Sequence, residues 1–224
     1  MKIRLFSTLS PLAFVFLSLA TPIVNAAWTG ISVSIEELES DWIFENNDRN
    51  ANLTRLNMNF EEKAASELRV GANIGRMTTR ISNNDGPRNT KKFDASYFGV
   101  YIRYPLSLGD HFTLQNKLTY QYHSGSETIG DNDDDSEDEI DWREISYELG
   151  LSAMFSSLRL TPFAIYSDVD GDISGDSGTN SFESDEEISA GLNVDFFLDP
   201  TSFVRLRFTT GDYDSASLVF AREF

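Results

Sequence analysis

Residues 112–155, FTLQNKLTYQYHSGSETIGDNDDDSEDEIDWREISYELGLSAMF, hold two runs in which apolar residues recur at every second position, joined by a strongly acidic segment. On one side stand Phe112, Leu114, Leu118, Tyr120 and Tyr122, and on the other Ile145, Tyr147, Leu149, Leu151, Ala153 and Phe155. Period two is the spacing of a β-strand with one apolar face. The segment between them, residues 130–142, carries eight acidic side chains and no basic one, so it reads as a solvated loop closing a hairpin.

The same alternation extends along most of the chain. Leu68 to Ile74, Phe98 to Tyr104, Ile188 to Phe196, Val204 to Phe208 and Ala216 to Phe220 all follow it, and Phe224 closes the last run. Weaker runs near residues 28–40, 52–61 and 158–167 bring the expected count to ten strands, with eight as the alternative. Short connections fall at residues 62–66, 107–110, 155–157 and 198–201; longer polar ones centre on 41–51, 84–94, 125–141 and 168–186. The final connection, Gly211-Asp212-Tyr213-Asp214, is short and reads as a tight hairpin. Short turns at one end and long loops at the other are the layout of an up-and-down antiparallel transmembrane barrel with acidic external loops.

Two further patterns separate a membrane barrel from a soluble one. Aromatic residues of the apolar face gather at strand ends: Phe60, Tyr104, Phe112, Phe155, Phe196 and Phe224 at the short-turn end, and Phe98, Tyr122, Tyr147, Tyr166 and Phe208 at the other. These are two interfacial girdles. The opposite face carries Arg55, Arg69, Arg103, Lys117, Glu144, Glu148, Arg159, Arg205 and Arg207, with Glu61, Glu187, Asp195 and Glu223. In a barrel these charges line the lumen, where they pair or border a thin water path past Lys117, Arg205 and Arg207.

The N-terminus adds a compartment. Lys2 and Arg4, an apolar run from Leu9 to Leu19 and the small residues before Ala27 form a secretory signal with cleavage after Ala26. The expected organisation is therefore a signal at 1–26 and one barrel domain at 27–224. No cysteine is present, which excludes a disulfide framework, a thiol nucleophile and a lipid anchor on cysteine. The formal charge is −18, and loss of Lys2 and Arg4 takes it to −20. That balance argues against nucleic acid and favours attraction of cations.

The chain resembles the bacterial outer-membrane β-barrel proteins as a class: the signal, the alternating strands and the ending SLVFAREF carry the likeness. The resemblance implies residence in the outer membrane, contact with its lipids and lipopolysaccharide, and insertion by the barrel-assembly machinery, with Phe224 as the terminal signal. A monomer is expected. Arg222 stands where the pattern has an apolar residue, at a depth where a basic side chain can snorkel.

Candidate chemistry is sparse. From Asp170 the chain reads Asp-Gly-Asp-Ile-Ser-Gly-Asp, so Asp170, Asp172, Ser174 and Asp176 place oxygen donors at alternate positions, like the opening of a calcium-binding loop. The likeness stops at Ser181, where a glutamate would be needed. Asp131, Asp133 and Asp135 form a second alternating set without a glycine. Calcium held by these external loops is the one cofactor expectation. Arg88, Lys91 and Lys92, with Arg76 and Arg80 on the outward face, are placed to meet acidic loops or lipid phosphate. His123 faces the lumen near the outer mouth, but Ser124 points the other way and no nucleophile motif frames it. No catalytic residue and no enzymatic activity are expected: the reading is a structural or interaction barrel with acidic, cation-binding loops, with a narrow porin-like channel as the alternative and a lipid- or peptide-cleaving enzyme, resting on His123 alone, behind both.

Overall fold

A computed structural model describes residues 30–44, 47–83, 90–127, 138–176, 178–184 and 188–224. The expected signal segment and the acids Asp131, Asp133 and Asp135 lie outside the described residues, as do Arg88 and Glu187.

The chain forms one closed antiparallel sheet. Its strands are β1 (Gly30–Phe44), β2 (Asn47–Ala65), β3 (Leu68–Asn83), β4 (Thr90–Ser107), β5 (Phe112–Glu127), β6 (Glu139–Phe155), β7 (Leu158–Gly175), β8 (Gly178–Ser184), β9 (Ile188–Phe197), β10 (Ser202–Gly211) and β11 (Tyr213–Glu223). Neighbours in sequence pair in space, except that β9 pairs with β7 rather than with β8, and β1 pairs with β11 to close the ring. Ten of these strands, all but β8, form an up-and-down barrel, as the alternation predicts.

The short connections turn tightly. Ser66 and Ser156 adopt φ of 41° and 54°, and Gly109 and Gly211 reach 103° and 136°. At Gly211 a side chain would also press on the Ile188 carbonyl at 2.9 Å, so the β10–β11 turn needs glycine twice over.

The lower part of the wall is apolar outside and polar inside. On β5 the outward row runs Phe112, Leu114, Asn116, Leu118, Tyr120, Tyr122, within the roughly nine to eleven residues needed to span a bilayer. Phe98 lies opposite Tyr122 on β4 and β5, and Tyr147 opposite Tyr166 on β6 and β7, so the outer aromatic girdle holds two cross-strand pairs.

Above this girdle the two faces exchange character. On β1 the outward residues change from Ile31, Val33 and Ile35 to Glu37, Glu39 and Asp41, while the inward ones change from Ser32, Ser34 and Glu36 to Leu38, Trp42 and Phe44. The exchange recurs at the same height around the ring, where the last outward apolar residue is Leu56, Ile74, Phe98, Tyr122, Ile145 and Tyr166 on β2 to β7, and the next is Thr54, Arg76, Ser96, Ser124, Arg143 and Asp168. A wall in water must bury its apolar face inward, whereas a wall in lipid turns it outward.

This upper storey corrects the expected loops. Residues 41–51 and 168–186 are largely strand: β1 and β2 pair as far as Phe44 and Asn47, and residues 170–183 form the β7–β8 hairpin. Strand β8 pairs with β7 on one side and with Trp42, Ile43 and Phe44 of β1 on the other. Above the membrane, β8 thus replaces β9, β10 and β11, and the ring narrows from ten strands to the eight of β1–β8.

Candidate functional site

The interior divides at the height where the wall changes face. Below lies a polar lumen whose charges are paired across strands. Asp195, fully buried on β9, stands directly opposite Arg159 of β7 and Arg205 of β10. Arg205 donates twice to it, at 2.6 and 2.9 Å, and Arg159 once at 2.6 Å. Glu61 takes Arg69 at 3.0 Å and also Arg103, Glu148 takes Arg207 at 2.8 Å, and Glu144 takes Arg55 at 3.0 Å. Glu36 approaches Arg55 at 4.0 Å. Every lumen charge expected from the sequence and described in the structure faces inward. Lys117 is held otherwise, its Nζ 4.6 Å from the centre of the Tyr101 ring. What remains of the lumen is a polar cavity of about 270 Å³ reaching from Leu38 at the top to Glu223 at the short-turn end.

Above the lumen the barrel is filled by apolar side chains. Trp42, Phe44, Ala51, Leu53, Met77, Ile81, Phe93, Ala95, Tyr97, Ile140, Trp142, Ile173 and Phe182 form one buried cluster. Its aromatic members make a chain across the bore. Tyr97 stacks on His123 at 5.0 Å, His123 on Trp142 at 4.4 Å, Trp142 meets Trp42 edge-on at 5.7 Å, and Trp42 stacks on Phe182 at 4.6 Å. Gly171 permits this packing, since a Cβ there would sit 2.4 Å from the Cβ of Trp142 and 2.6 Å from the Phe182 ring. The sequence reading missed this plug, and Glu36 with it.

His123 forms the boundary between the two regions. It is fully buried, and its Nε2 lies 3.6 Å from Glu144 at the roof of the lumen. Neither ring nitrogen has a hydrogen-bond partner among the described residues. Ser124 is exposed on the other face of β5, as the alternation predicts, so it does not pair with this imidazole.

The expected calcium-type residues are differently arranged from a ligating loop. Asp170, Asp172 and Ser174 lie on β7 with their side chains outward, each engaged laterally: Asp170 by Arg143, Asp172 by the Ser181 hydroxyl at 2.7 Å, and Ser174 by Thr179 at 3.1 Å. They form a row along a strand, and Asp176 follows in the turn. Among the described residues no group of three or more His, Cys, Asp or Glu is arranged to hold a metal ion.

The outer wall of the upper storey is electrically two-sided. Glu37, Glu39 and Asp41 on β1, Glu139 and Asp141 on β6, Asp168, Asp170 and Asp172 on β7 and Glu183 on β8 make one sector acidic. Arg76 and Arg80 of β3 and Lys92 of β4 make another basic. Lys91, by contrast, turns to Glu127 at 3.2 Å and to Asp138, tying β4 to the flanks of the acidic connection.

No family model matches the sequence, and no curated protein matches it. Solved structures match in fold. The transport unit of the autotransporter AIDA-I from Escherichia coli aligns over 94% of this chain and 96% of its own, with 10% identity and a TM-score of 0.50. The translocator domain of the autotransporter NalP from Neisseria meningitidis aligns over 96% and 95%, with 12% identity and a TM-score of 0.49. The outer membrane protein OprG from Pseudomonas aeruginosa aligns over 89% and 98%, with 12% identity and a TM-score of 0.46. Identities this low speak to fold alone, and that fold agrees with what the surface of this chain shows independently: a closed ring, an apolar outer band between aromatic girdles and a charged interior. The chain is a closed, up-and-down antiparallel β-barrel with the surface of one that spans a membrane.

Proposed function

We propose that this protein is a non-conducting outer-membrane barrel whose role is to hold a self-contained, acidic β-barrel above the membrane as an interaction surface. The observation that carries the reading is the apolar plug: the aromatic chain from Tyr97 to Phe182 spans the bore where a channel would have to open. Ions shed hydration only at high cost, so a bore packed with indole and phenyl rings blocks them more firmly than ion pairs would. An eight-stranded ring has an interior that side chains can fill, which is how the plug is accommodated.

The acidic sector then works as a field rather than a cage. Asp170 and Asp172 sit on a paired strand, so cations gather there as a diffuse, salt-sensitive layer. Partners carrying basic patches are favoured by the same field. Single-channel recording of refolded protein in a planar bilayer tests the reading. Silence is expected over a range of voltages, in protein shown folded by heat-modifiable electrophoretic mobility. Discrete, reproducible steps from the wild-type chain would refute it and restore a narrow porin-like channel through the lumen.

A further inference from the structure

The lower lumen holds more positive charge than its own carboxylates answer. Below the roof at Glu144, six cations face inward: Arg69, Arg103, Lys117, Arg159, Arg205 and Arg207. Four carboxylates stand among them, and each is already engaged. Glu61 is taken by Arg69 and Arg103, Glu148 by Arg207, Asp195 by Arg159 and Arg205, and Glu223 by Arg69 at 3.6 Å. Six against four leaves a surplus of two positive charges among the described residues of this belt. At the roof the balance reverses, since Glu36 and Glu144 share Arg55.

The surplus is built into the sheet. Arg69, Arg103 and Lys117 are consecutive cross-strand partners on β3, β4 and β5. Like charges in that relation repel. Glu61 serves the first two, but no ion pair joins Lys117 to a carboxylate among the described residues, because Glu148, opposite it on β6, turns to Arg207 at 2.8 Å. What seats the cations is aromatic. Lys117 Nζ lies over the Tyr101 ring, the Arg207 guanidinium is 4.0 Å from the centre of Phe163, and Arg159 and Arg205 are 5.1 and 5.3 Å from that of Phe203. All three rings are buried. Gly71 opposite Tyr101 and Gly191 opposite Phe163 make room for two of them, since a Cβ at either position would run into the ring. A ring face attracts a cation without cancelling its charge. The cations are thus fixed in place and still positive. Arg103, Lys117, Arg159, Arg205 and Arg207 all border the cavity of about 270 Å³, whereas Asp195 is buried behind its two arginines.

We infer that the lower lumen is a binding site for a small oxyanion carrying two negative charges. The anion lies between Arg103 and Lys117 of β4 and β5 and Arg205 and Arg207 of β10, which stands across the ring from them. It answers the surplus of two and relieves the repulsion along β3 to β5 without displacing a carboxylate. A cleft of one sign with low-dielectric walls concentrates such an ion, and the acidic roof holds it below the plug. Entry from the short-turn end rests on the plugged bore proposed above; the binding itself does not.

The test is isothermal titration calorimetry of the refolded full barrel in neutral detergent at neutral pH, with inorganic sulfate as the probe and chloride in excess. The wild-type chain takes up one sulfate per barrel, saturably. Lys117→Gln, which breaks no ion pair, weakens binding by about tenfold or more while keeping its heat-modifiable mobility. Lys117→Arg, which keeps the charge, restores most of the affinity. Arg80→Gln, on the outer wall, leaves it unchanged. Absence of saturable uptake by folded wild type, or equal affinity in Lys117→Gln, would overturn the site. A loss in Arg80→Gln as large as that in Lys117→Gln would move the anion to the outer wall and overturn its place in the lumen. Sulfate binding by a barrel that also conducts would overturn the plugged bore and keep the site.

Discussion

Replacing Trp142 by alanine should uncouple the two storeys of the barrel. Its side chain is 2% exposed, stacks on His123 at 4.4 Å and abuts Trp42 at 5.7 Å, so it links the roof of the lumen to the centre of the plug. Truncating a buried tryptophan costs about 3–5 kcal/mol. The loss falls on the upper barrel, because the lower one keeps its own ion pairs and its lipid-facing band. Against the roughly 5–15 kcal/mol that holds a whole domain together, it raises the population of open upper barrel by about two to three and a half decades. Amide exchange reads this directly. The amides of Phe93, Ala95 and Ile140 should exchange faster in Trp142→Ala by that factor, while those of Leu118 and Leu149, within the lipid-facing band, should not change. Acceleration of both sets together would show that the barrel opens as one cooperative unit and would refute the two-storey account. Conductance adds a second decision: if the upper amides exchange rapidly and the variant stays silent, the lumenal ion pairs rather than the plug block the bore.

Other changes probe the lumen, the outer wall and the turns. Asp195→Asn strips Arg159 and Arg205 of their shared carboxylate and should destabilise the barrel by about 3–5 kcal/mol, seen as a lower urea midpoint in refolding titrations. Arg143→Ala removes only the exposed pair with Asp170, and its midpoint should move by less than about 1 kcal/mol equivalent. In the β9–β10 turn, Asp199 accepts from the Thr201 backbone N–H at 2.7 Å and from its hydroxyl at 2.9 Å, and these bonds hold its carboxyl below the usual range. A depressed carboxyl stabilises the turn above its unfolded pKa of about 4 and ceases to do so as pH falls through the lower folded value. Thr201 amide protection should therefore weaken only at pH below about 4, and in Asp199→Asn that acid dependence should disappear.

The lower storey was legible because each of its strands keeps one phase. Phe112 to Tyr122 and Ile145 to Phe155 alternate without a break, and the charges expected in the lumen follow from the same parity. The upper storey was not, because its phase is opposite. On β2 the apolar positions pass from Ala51 and Leu53 to Leu56 and Met58, and on β6 from Ile140 and Trp142 to Ile145. A parity shift inside one strand looks like an end to alternation, and the polar outward residues beyond it look like loop. The calcium-like spacing at Asp170 has the same origin. Oxygen donors at every second position mark a ligating loop, but they also mark the wet face of a strand, and Asp170, Asp172 and Ser174 lie on a strand paired with β8. His123 was correctly turned inward by parity, yet its stacking depends on Tyr97 and Trp142, which only cross-strand register brings beside it.

Strand number connects this folding detail to function. A ring of ten strands encloses more than its own side chains fill, and in the membrane the surplus is the polar cavity of about 270 Å³. When the wall rises into water its apolar face must turn inward, and a ten-stranded bore would be too wide for those side chains to close. Ending β9, β10 and β11 at the membrane and returning one strand, β8, against β1 reduces the ring to a size that indole and phenyl rings do fill. Phe182, brought in by β8 itself, stacks on Trp42 and completes the aromatic chain across the bore. The change of solvent forces the faces to exchange, the exchange supplies apolar side chains to the interior, and the step from ten strands to eight makes them meet. A bore packed with aromatic side chains at its outer mouth therefore follows from how this chain leaves the membrane, and the charged wall around that mouth is the surface on which the proposed role rests.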